Sequence, residues 1–114
     1  MVHCYDAYMQ SLDTIFAALS DETRREILSR LSSGETPLSE LAAPLPMSQT
    51  AVSKHVRVLS DAQLVTVEKR GRVRFCRLNA EPMKRARDWI NDYQTFWVEQ
   101  MEGLGRFLAE EKED

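Results

Sequence analysis

The sequence predicts a mainly α-helical fold with one small β-hairpin, and three observations support this. Apolar residues recur at helical spacing through most of residues 6–59, as in amphipathic helices packed around a core. The period changes to two between Val65 and Leu78, with Gly71 in the middle, which is typical of a hairpin. Another stripe at helical spacing follows Pro82. The predicted order is four helices, two strands and a fifth helix.

Length and composition limit the class of protein. The 114 residues are enough for a single domain, over positions 1–114, with a small core. We therefore expect a partner to add stability. The sequence contains no apolar run long enough to span a membrane, and residues 2–10 lack the features of a signal peptide, so we expect a cytoplasmic protein. Cys4 and Cys76 form no CxxC pair, which favours reduced thiols.

The charge is distributed unevenly along the chain. The net charge is -3, but residues 48–78 carry seven bases and only two acids, Asp61 and Glu68. The acidic residues are concentrated near the C-terminus. A basic region within an acidic chain indicates a phosphate-binding face, so the net charge does not exclude a nucleic-acid partner.

The first three predicted helices lead to a helix-turn-helix. Apolar spacing predicts a first helix over Asp6–Leu19 and a second over Glu22–Leu31, which Asp21 caps. A short third helix, about Ser39–Ala43, ends before two prolines that make a tight turn. Residues Leu38–Leu59 therefore form a helix, a short turn and a helix.

The stretch from Met47 to Leu64 predicts a fourth helix, capped by Ser48, with two different sides. The apolar side holds Ala51, Val52, His55, Val56, Val58 and Leu59. The other side holds hydroxyls, an amide and two cations, namely Gln49, Thr50, Ser53, Lys54, Arg57 and Ser60. These groups can bind base edges and phosphates in a DNA major groove, although an ordinary solvated surface is the alternative.

The predicted hairpin has a basic tip. Five cations lie between Lys69 and Arg77, on both sides of Gly71. They can reach phosphates beside a groove occupied by the preceding helix, whereas the simpler alternative is a solvated loop.

The last helix is predicted to begin near Glu81 and Pro82 and to run to about Met101 or beyond, with Gly103 and Gly105 bending or ending it. Apolar residues recur along it at Met83, Ala86, Ile90, Tyr93, Trp97, Met101, Leu104 and Leu108. A small monomer has little core to cover this stripe, so we expect a helix of a second subunit to cover it. Packing within one chain is the alternative.

Together these elements form a winged helix-turn-helix, and the residues resemble the bacterial ArsR-type transcriptional repressors. The resemblance rests on three segments, FAALSDETRREILSRL (16–31), SELAAPLPMSQTAVSKHVRVLSDAQLV (39–65) and KRGRVRFCRLN (69–79). It implies a homodimer that binds an inverted repeat in promoter DNA and blocks transcription. The dimer would be joined through residues 1–19 and 81–109, and the expected interface residues are Leu12, Phe16, Ile90, Tyr93, Trp97, Met101 and Leu104.

The resemblance also suggests which residues meet DNA. It assigns base and phosphate contacts to Gln49, Thr50, Ser53 and Lys54, and wing contacts to Arg70, Arg72 and Arg74. Helical geometry adds Arg57, and we include Ser48 at the helix start and Lys69 in the wing. His55 lies on the apolar side, so we interpret it as a structural residue.

The sequence departs from the metal-sensing members of the family. The third helix has no cysteine, and no histidine occurs from Met83 to Asp114, so both family metal sites are predicted to be absent and no cofactor is expected. The remaining candidates are His3, Cys4 and Cys76, which leave a thiol- or metal-responsive repressor as an alternative. The sequence does not identify an effector.

Two other classes of function compete with a DNA-binding regulator. One is a winged-helix module that binds protein through Trp89 and Trp97. The other is an enzyme, which we do not expect because no arrangement of catalytic side chains accompanies a glycine-rich loop or a pocket.

Overall fold

A computed structural model describes the backbone of residues 4–112 and the side chains of residues 11–110. Within this range the chain is mainly helical with one small antiparallel sheet, as predicted. The elements in order are α1 (Cys4–Leu19), α2 (Glu22–Leu31), β1 (Thr36–Pro37), α3 (Leu38–Ala42), α4 (Gln49–Asp61), β2 (Val65–Arg70), β3 (Val73–Leu78), α5 (Met83–Asn91) and α6 (Gln94–Lys112).

The two predicted N-caps form in the structure. The Asp21 side chain accepts a hydrogen bond from the backbone N–H of Arg24 at 3.1 Å, and Ser48 accepts one from Ala51 at 3.1 Å. Each cap satisfies a backbone donor that the first helical turn leaves without a partner. The sequence therefore fixes where α2 and α4 begin.

The main core lies between α2, α3, α4 and the sheet. Its fully buried members include Ile27, Leu41, Val52, Leu59 and Leu64. A second, smaller cluster joins α1 to α5. The apolar side of α4 is thus held against the core while its polar side remains outside.

The sheet has three strands rather than the two predicted. The short strand β1 pairs antiparallel with β3, with Thr36 opposite Cys76 and Pro37 opposite Phe75, and the strand order is β1-β3-β2. Two residues, one of them proline, give no alternating pattern from which a strand can be predicted. The additional strand attaches the hairpin to the segment between α2 and α3.

The last helix is divided, which also differs from the prediction. It breaks at Asp92 and Tyr93, and α6 then continues through both Gly103 and Gly105. The N–H of Tyr93 donates to the carbonyl of Ile90 at 3.0 Å, which is a tighter turn than the α-helix makes. The break begins directly after Asn91, and asparagine and aspartate are residue types whose side chains can compete with helical backbone hydrogen bonds.

Two apolar side chains have surroundings other than those expected. Val58, predicted on the buried side of its helix, is 40% exposed, because it lies at the edge of the apolar face above a cleft between α1, α2 and α4. Leu12, predicted at a dimer surface, is 2% exposed, because it packs with Ile15 and Ala86 of the same chain.

No helix in the described part of the chain is long and apolar enough to cross a membrane.

Candidate nucleic-acid interface

The first turns of α4 and the β2–β3 hairpin, which we call the wing, face each other across an open cleft. Its volume is about 560 Å³. The side chains lining it are Leu38, Ser39, Gln49, Thr50, Ser53, Arg72, Val73 and Arg74. The cleft therefore brings together three predicted base-reading residues of α4 and two predicted phosphate-binding residues of the wing. Among the side chains that the structure describes, no carboxylate lines it.

Three lining residues were not predicted. Leu38 and Ser39 belong to α3, and Val73 begins β3. The hydroxyl of Ser39 has the same chemistry as those of Thr50 and Ser53 in the lining, but nothing in the sequence shows that α3 reaches the front of α4.

The start of α4 is positioned by α3 and by one arginine. Leu38 and Leu41 anchor α3 in the core. The Arg30 guanidinium of α2 donates to the carbonyls of Leu41 at 2.6 Å and Glu40 at 2.8 Å. These carbonyls belong to the last turn of a five-residue helix, where no helical N–H reaches them. Arg30 thus fixes α3 and, through it, the start of α4.

The end of α4 is closed by a turn that contains one unusual backbone conformation. Gln63 has φ of 63°, and the N–H of Leu64 donates to the carbonyl of Leu59 at 2.9 Å, as in a Schellman motif. Asn79 donates through its side chain to the Gln63 carbonyl at 2.9 Å and through its backbone to the Leu64 carbonyl at 2.8 Å. The end of α4 is therefore tied to the end of β3.

His55 is engaged within the fold. Its Nδ1 atom lies 3.3 Å from Nη1 of Arg24 and 3.8 Å from Oδ2 of Asp21. Arg24 also donates to the carbonyls of Ala17 and Ala18 at the end of α1. The hydrogen bond from the Arg24 backbone, followed by the charge of His55, holds the pKa of Asp21 below its usual value. These contacts are those of a structural histidine that joins α4 to α1 and α2.

Five cations on this side of the molecule are exposed and carry no ion pair or hydrogen bond within the described residues: Lys54, Arg57, Lys69, Arg72 and Arg74. Lys69 and Arg74 are directly opposite each other in the hairpin. Like charges in opposite positions repel each other unless an anion lies between them. The arrangement therefore favours an anionic partner.

The remaining wing cations, Arg70 and Arg77, differ from these five. Arg77 lies 3.8 Å from a carboxylate oxygen of Glu35, and Arg70 is the more extensively paired. Its guanidinium lies 2.9 Å from a carboxylate oxygen of Glu35 and 2.9 Å from one of Glu68. It also lies 4.6 Å from the centre of the Phe75 ring. The bond to Arg70 lowers the pKa of Glu68, and the bonds to Glu68 and Glu35 raise the pKa of Arg70. Arg70 is therefore already paired within the protein.

Cys76 is fully buried on β3. Burial raises the pKa of its thiol, which disfavours the reactive thiolate. His3 lies outside the described residues, and the side chain of Cys4 is also outside them. Among the described side chains, no group of three His, Cys, Asp or Glu residues is placed to hold a metal ion.

A second exposed surface runs along α5 and α6 and is apolar. Of the predicted interface residues, Ile90, Tyr93, Trp97, Met101 and Leu104 are 38–72% exposed. Phe16 is half-buried and packs edge-on against Trp89, with ring centres 5.7 Å apart. Trp89, Phe96, Val98, Phe107 and Leu108 on the same two helices are also exposed. An extensive exposed apolar surface is typical of an interaction site.

Comparison with known proteins places these features in a family. A family model described as a helix-turn-helix domain matches residues 19–68. The chain is 35% identical over 105 residues to the HTH-type transcriptional regulator Rv2034 of Mycobacterium tuberculosis, and the match covers 92% of this chain and 95% of that protein. It is 39% identical to an arsenical resistance operon repressor of Staphylococcus xylosus, with 72% of this chain and 75% of the relative covered.

Solved structures agree with these sequence matches. The crystal structure of an ArsR family transcriptional regulator superposes with a TM-score of 0.73 at 39% identity, covering 78% of this chain and 92% of the other. The two proteins have the same fold and similar sequences over most of both chains. The chain therefore belongs to the ArsR family of winged helix-turn-helix transcriptional regulators.

Proposed function

We propose that the protein is a homodimeric transcriptional repressor that binds an inverted repeat in promoter DNA in the bacterial cytoplasm. The observation that carries the proposal is the cleft between α4 and the wing. Within the described part of the chain, this cleft combines hydrogen-bonding side chains with unpaired cations and has no carboxylate in its lining. Sequence-specific binding of double-stranded DNA needs such a surface, because contacts with phosphates supply most of the affinity and contacts with base edges supply the sequence specificity. Transcriptional control by DNA binding requires no catalytic group.

Each side chain at the front of α4 has a role in this proposal. Gln49, Thr50 and Ser53 line the cleft and meet base edges in the major groove. Ser48 sits at the start of the helix, and Lys54 and Arg57 are exposed on the same helix. These two cations bind phosphates beside the groove, as do Lys69, Arg72 and Arg74 of the wing.

The second subunit would cover the apolar surface of α5 and α6, where Trp97 and Met101 are 56% and 72% exposed. Phe16 of α1 lies at the edge of this surface, whereas the buried Leu12 supports α1 from within the same chain. A twofold dimer would place its two copies of α4 in successive major grooves, about 34 Å apart. Its operator would then be an inverted repeat, and occupancy of a promoter would block transcription.

The experiment is a fluorescence-anisotropy titration on the protein's own upstream DNA and on a random duplex, at two salt concentrations, with zinc and reductant varied. The proposal predicts promoter-selective binding that weakens steeply with salt and is unaffected by either additive. Equally weak binding to both duplexes would overturn it in favour of a protein-binding module. Release by zinc or an oxidant would show that the repressor is metal- or thiol-responsive.

A transcription assay separates repression from activation. A template carrying the upstream DNA, transcribed with purified polymerase, should yield less product as the protein is added. An increase in product would contradict the proposed direction of regulation.

A further inference from the structure

The cations on the two faces of the wing differ in whether a carboxylate of the protein pairs with them. In an antiparallel hairpin, residues directly opposite each other share a face, and successive residues alternate between faces. Lys69 pairs with Arg74, on the same face as the buried Cys76. Arg70 pairs with Val73 and shares the other face with Glu68 and its partner Phe75.

Glu35 connects this second face to the rest of the protein. It immediately precedes β1, in the segment between α2 and α3. Its two carboxylate oxygens lie 2.9 and 3.1 Å from the two terminal nitrogens of Arg70, and one of them lies 3.8 Å from Arg77. This two-point contact is the geometry that arginine makes best with a carboxylate. One acid outside the hairpin thus holds a cation from each of its strands.

We propose that Arg70 is a positioning residue and not a phosphate contact. It clamps the wing to Glu35, so that Lys69 and Arg74 on the opposite face, and Arg72 in the turn, are presented to DNA. The proposal rests on the proposed function, because it assigns a role within the same DNA-binding surface.

The alternative, a phosphate contact by Arg70, has an electrostatic cost. Arg70 would have to leave Glu35 and Glu68. Close to the DNA backbone, Glu68 would then be unpaired and Glu35 would keep only its 3.8 Å contact with Arg77. Repulsion between them and the phosphates would offset the new contact. Arg72 and Arg74 carry no such partner among the described residues, so they can bind phosphate without breaking an ion pair.

The test compares Arg70→Met and Glu35→Gln on promoter DNA over a range of salt concentrations. A clamp predicts that both changes weaken binding by about three- to fivefold, which is typical of removing one partly exposed ion pair. The loss of affinity in the double variant should be smaller than the product of the two single losses, since the two residues share one ion pair. The salt dependence should stay unchanged, because the protein still neutralises the same phosphates.

A phosphate contact predicts a different outcome. Arg70→Met would then lower the salt slope by about 0.9 per subunit, and Glu35→Gln would strengthen binding by freeing the cation. Strengthened binding by Glu35→Gln beyond that of Glu40→Gln would overturn the proposal. Glu40 is a matched control because it is an exposed acid in the neighbouring helix α3 whose carboxylate contacts no cation among the described residues.

A measurement without DNA separates failure of this proposal from failure of the proposed function. Hydrogen exchange of the β2 and β3 amides should accelerate in both single variants, because the clamp orders the wing in the free protein. The charge-swapped pair Arg70→Glu with Glu35→Arg should regain protection that Arg70→Glu alone loses. Unchanged exchange in both single variants would overturn the clamp, whatever the DNA titration shows.

Discussion

Arg30 donates from Nη1 to the backbone carbonyl of Leu41 at 2.6 Å, which links α2 to the last turn of α3. Replacing Arg30 with Met keeps the aliphatic stem but leaves the Leu41 and Glu40 carbonyls without this donor. We expect the free energy of unfolding in urea to fall by about 1.5–3 kcal/mol. Arg72→Met is the control and should leave unfolding unchanged, because Arg72 has no partner among the described residues. Equal effects of the two changes would contradict the assigned role of Arg30.

Gln49 is proposed to contact base edges, so its removal should change specificity more than general affinity. Gln49→Ala should weaken binding to promoter DNA by about 1–3 kcal/mol and leave binding to random duplex nearly unchanged. Arg72→Ala is the contrasting variant and should weaken both, with a salt slope lower by about 0.9 for each phosphate that is no longer neutralised. If Gln49→Ala weakened both duplexes equally, its assignment to base recognition would be wrong.

Trp97 is 56% exposed at the centre of the apolar surface of α6. Trp97→Glu should weaken dimerisation by at least about tenfold, because a charge would be buried in an apolar interface. Sedimentation equilibrium measures this change. Thr95→Glu adds the same charge about 200° around the helix, on the opposite side, and should leave the dimer intact. A dimer unaffected by Trp97→Glu would place the interface elsewhere.

Asp21 makes stability depend on pH in one direction. Its pKa in the folded protein is held below the usual value of 3.8, mainly by the N–H of Arg24. Its contribution is therefore complete above the unfolded pKa and disappears as the pH falls through the folded pKa. The difference in unfolding free energy between the wild type and Asp21→Asn, which keeps an uncharged capping oxygen, should shrink below about pH 4. A difference that grew on acidification would contradict this.

Gln63 occupies the left-handed region with φ of 63° at the end of α4. Glycine adopts this conformation without steric cost, so Gln63→Gly should raise the free energy of unfolding by about 0.5–1 kcal/mol. Gln63→Ala is the control, and because it keeps a Cβ atom it should give no gain. A loss of stability with glycine would mean that the Gln63 side chain makes contacts that matter more than the backbone strain.

Local sequence signals were sufficient for the elements that they encode directly. The caps at Asp21 and Ser48, the change of period at Val65 and the glycine turn at Gly71 each depend on neighbouring residues, and the structure confirms all four. Cys76 lies two residues before Leu78 on β3, so the two side chains share a face of the strand, and Cys76 is fully buried. Periodicity therefore located the helix-turn-helix and the wing.

The features that the sequence did not reveal depend on contacts between distant residues or on weak local preferences. Glu35 and Arg70 are separated by 35 positions, so the ion pair of Arg70 could not be read from the wing sequence. The break at Asp92 and Tyr93 has neither glycine nor proline to mark it. Val58 was predicted to be buried but is 40% exposed. A helical projection gives the direction of a side chain around its own helix, but it does not show whether another helix packs on that side.

The edges of the small sheet have a consequence for assembly. A free strand edge invites a neighbouring chain to add a strand and so begins aggregation. On one side the outer strand is only two residues long and includes Pro37, which has no N–H to offer. On the other side β2 carries Glu68, Lys69 and Arg70, and charges oppose pairing between identical strands. The edges of the sheet therefore disfavour joining two copies of this chain through their strands, and the protein can accumulate at high local concentration without extending its sheet.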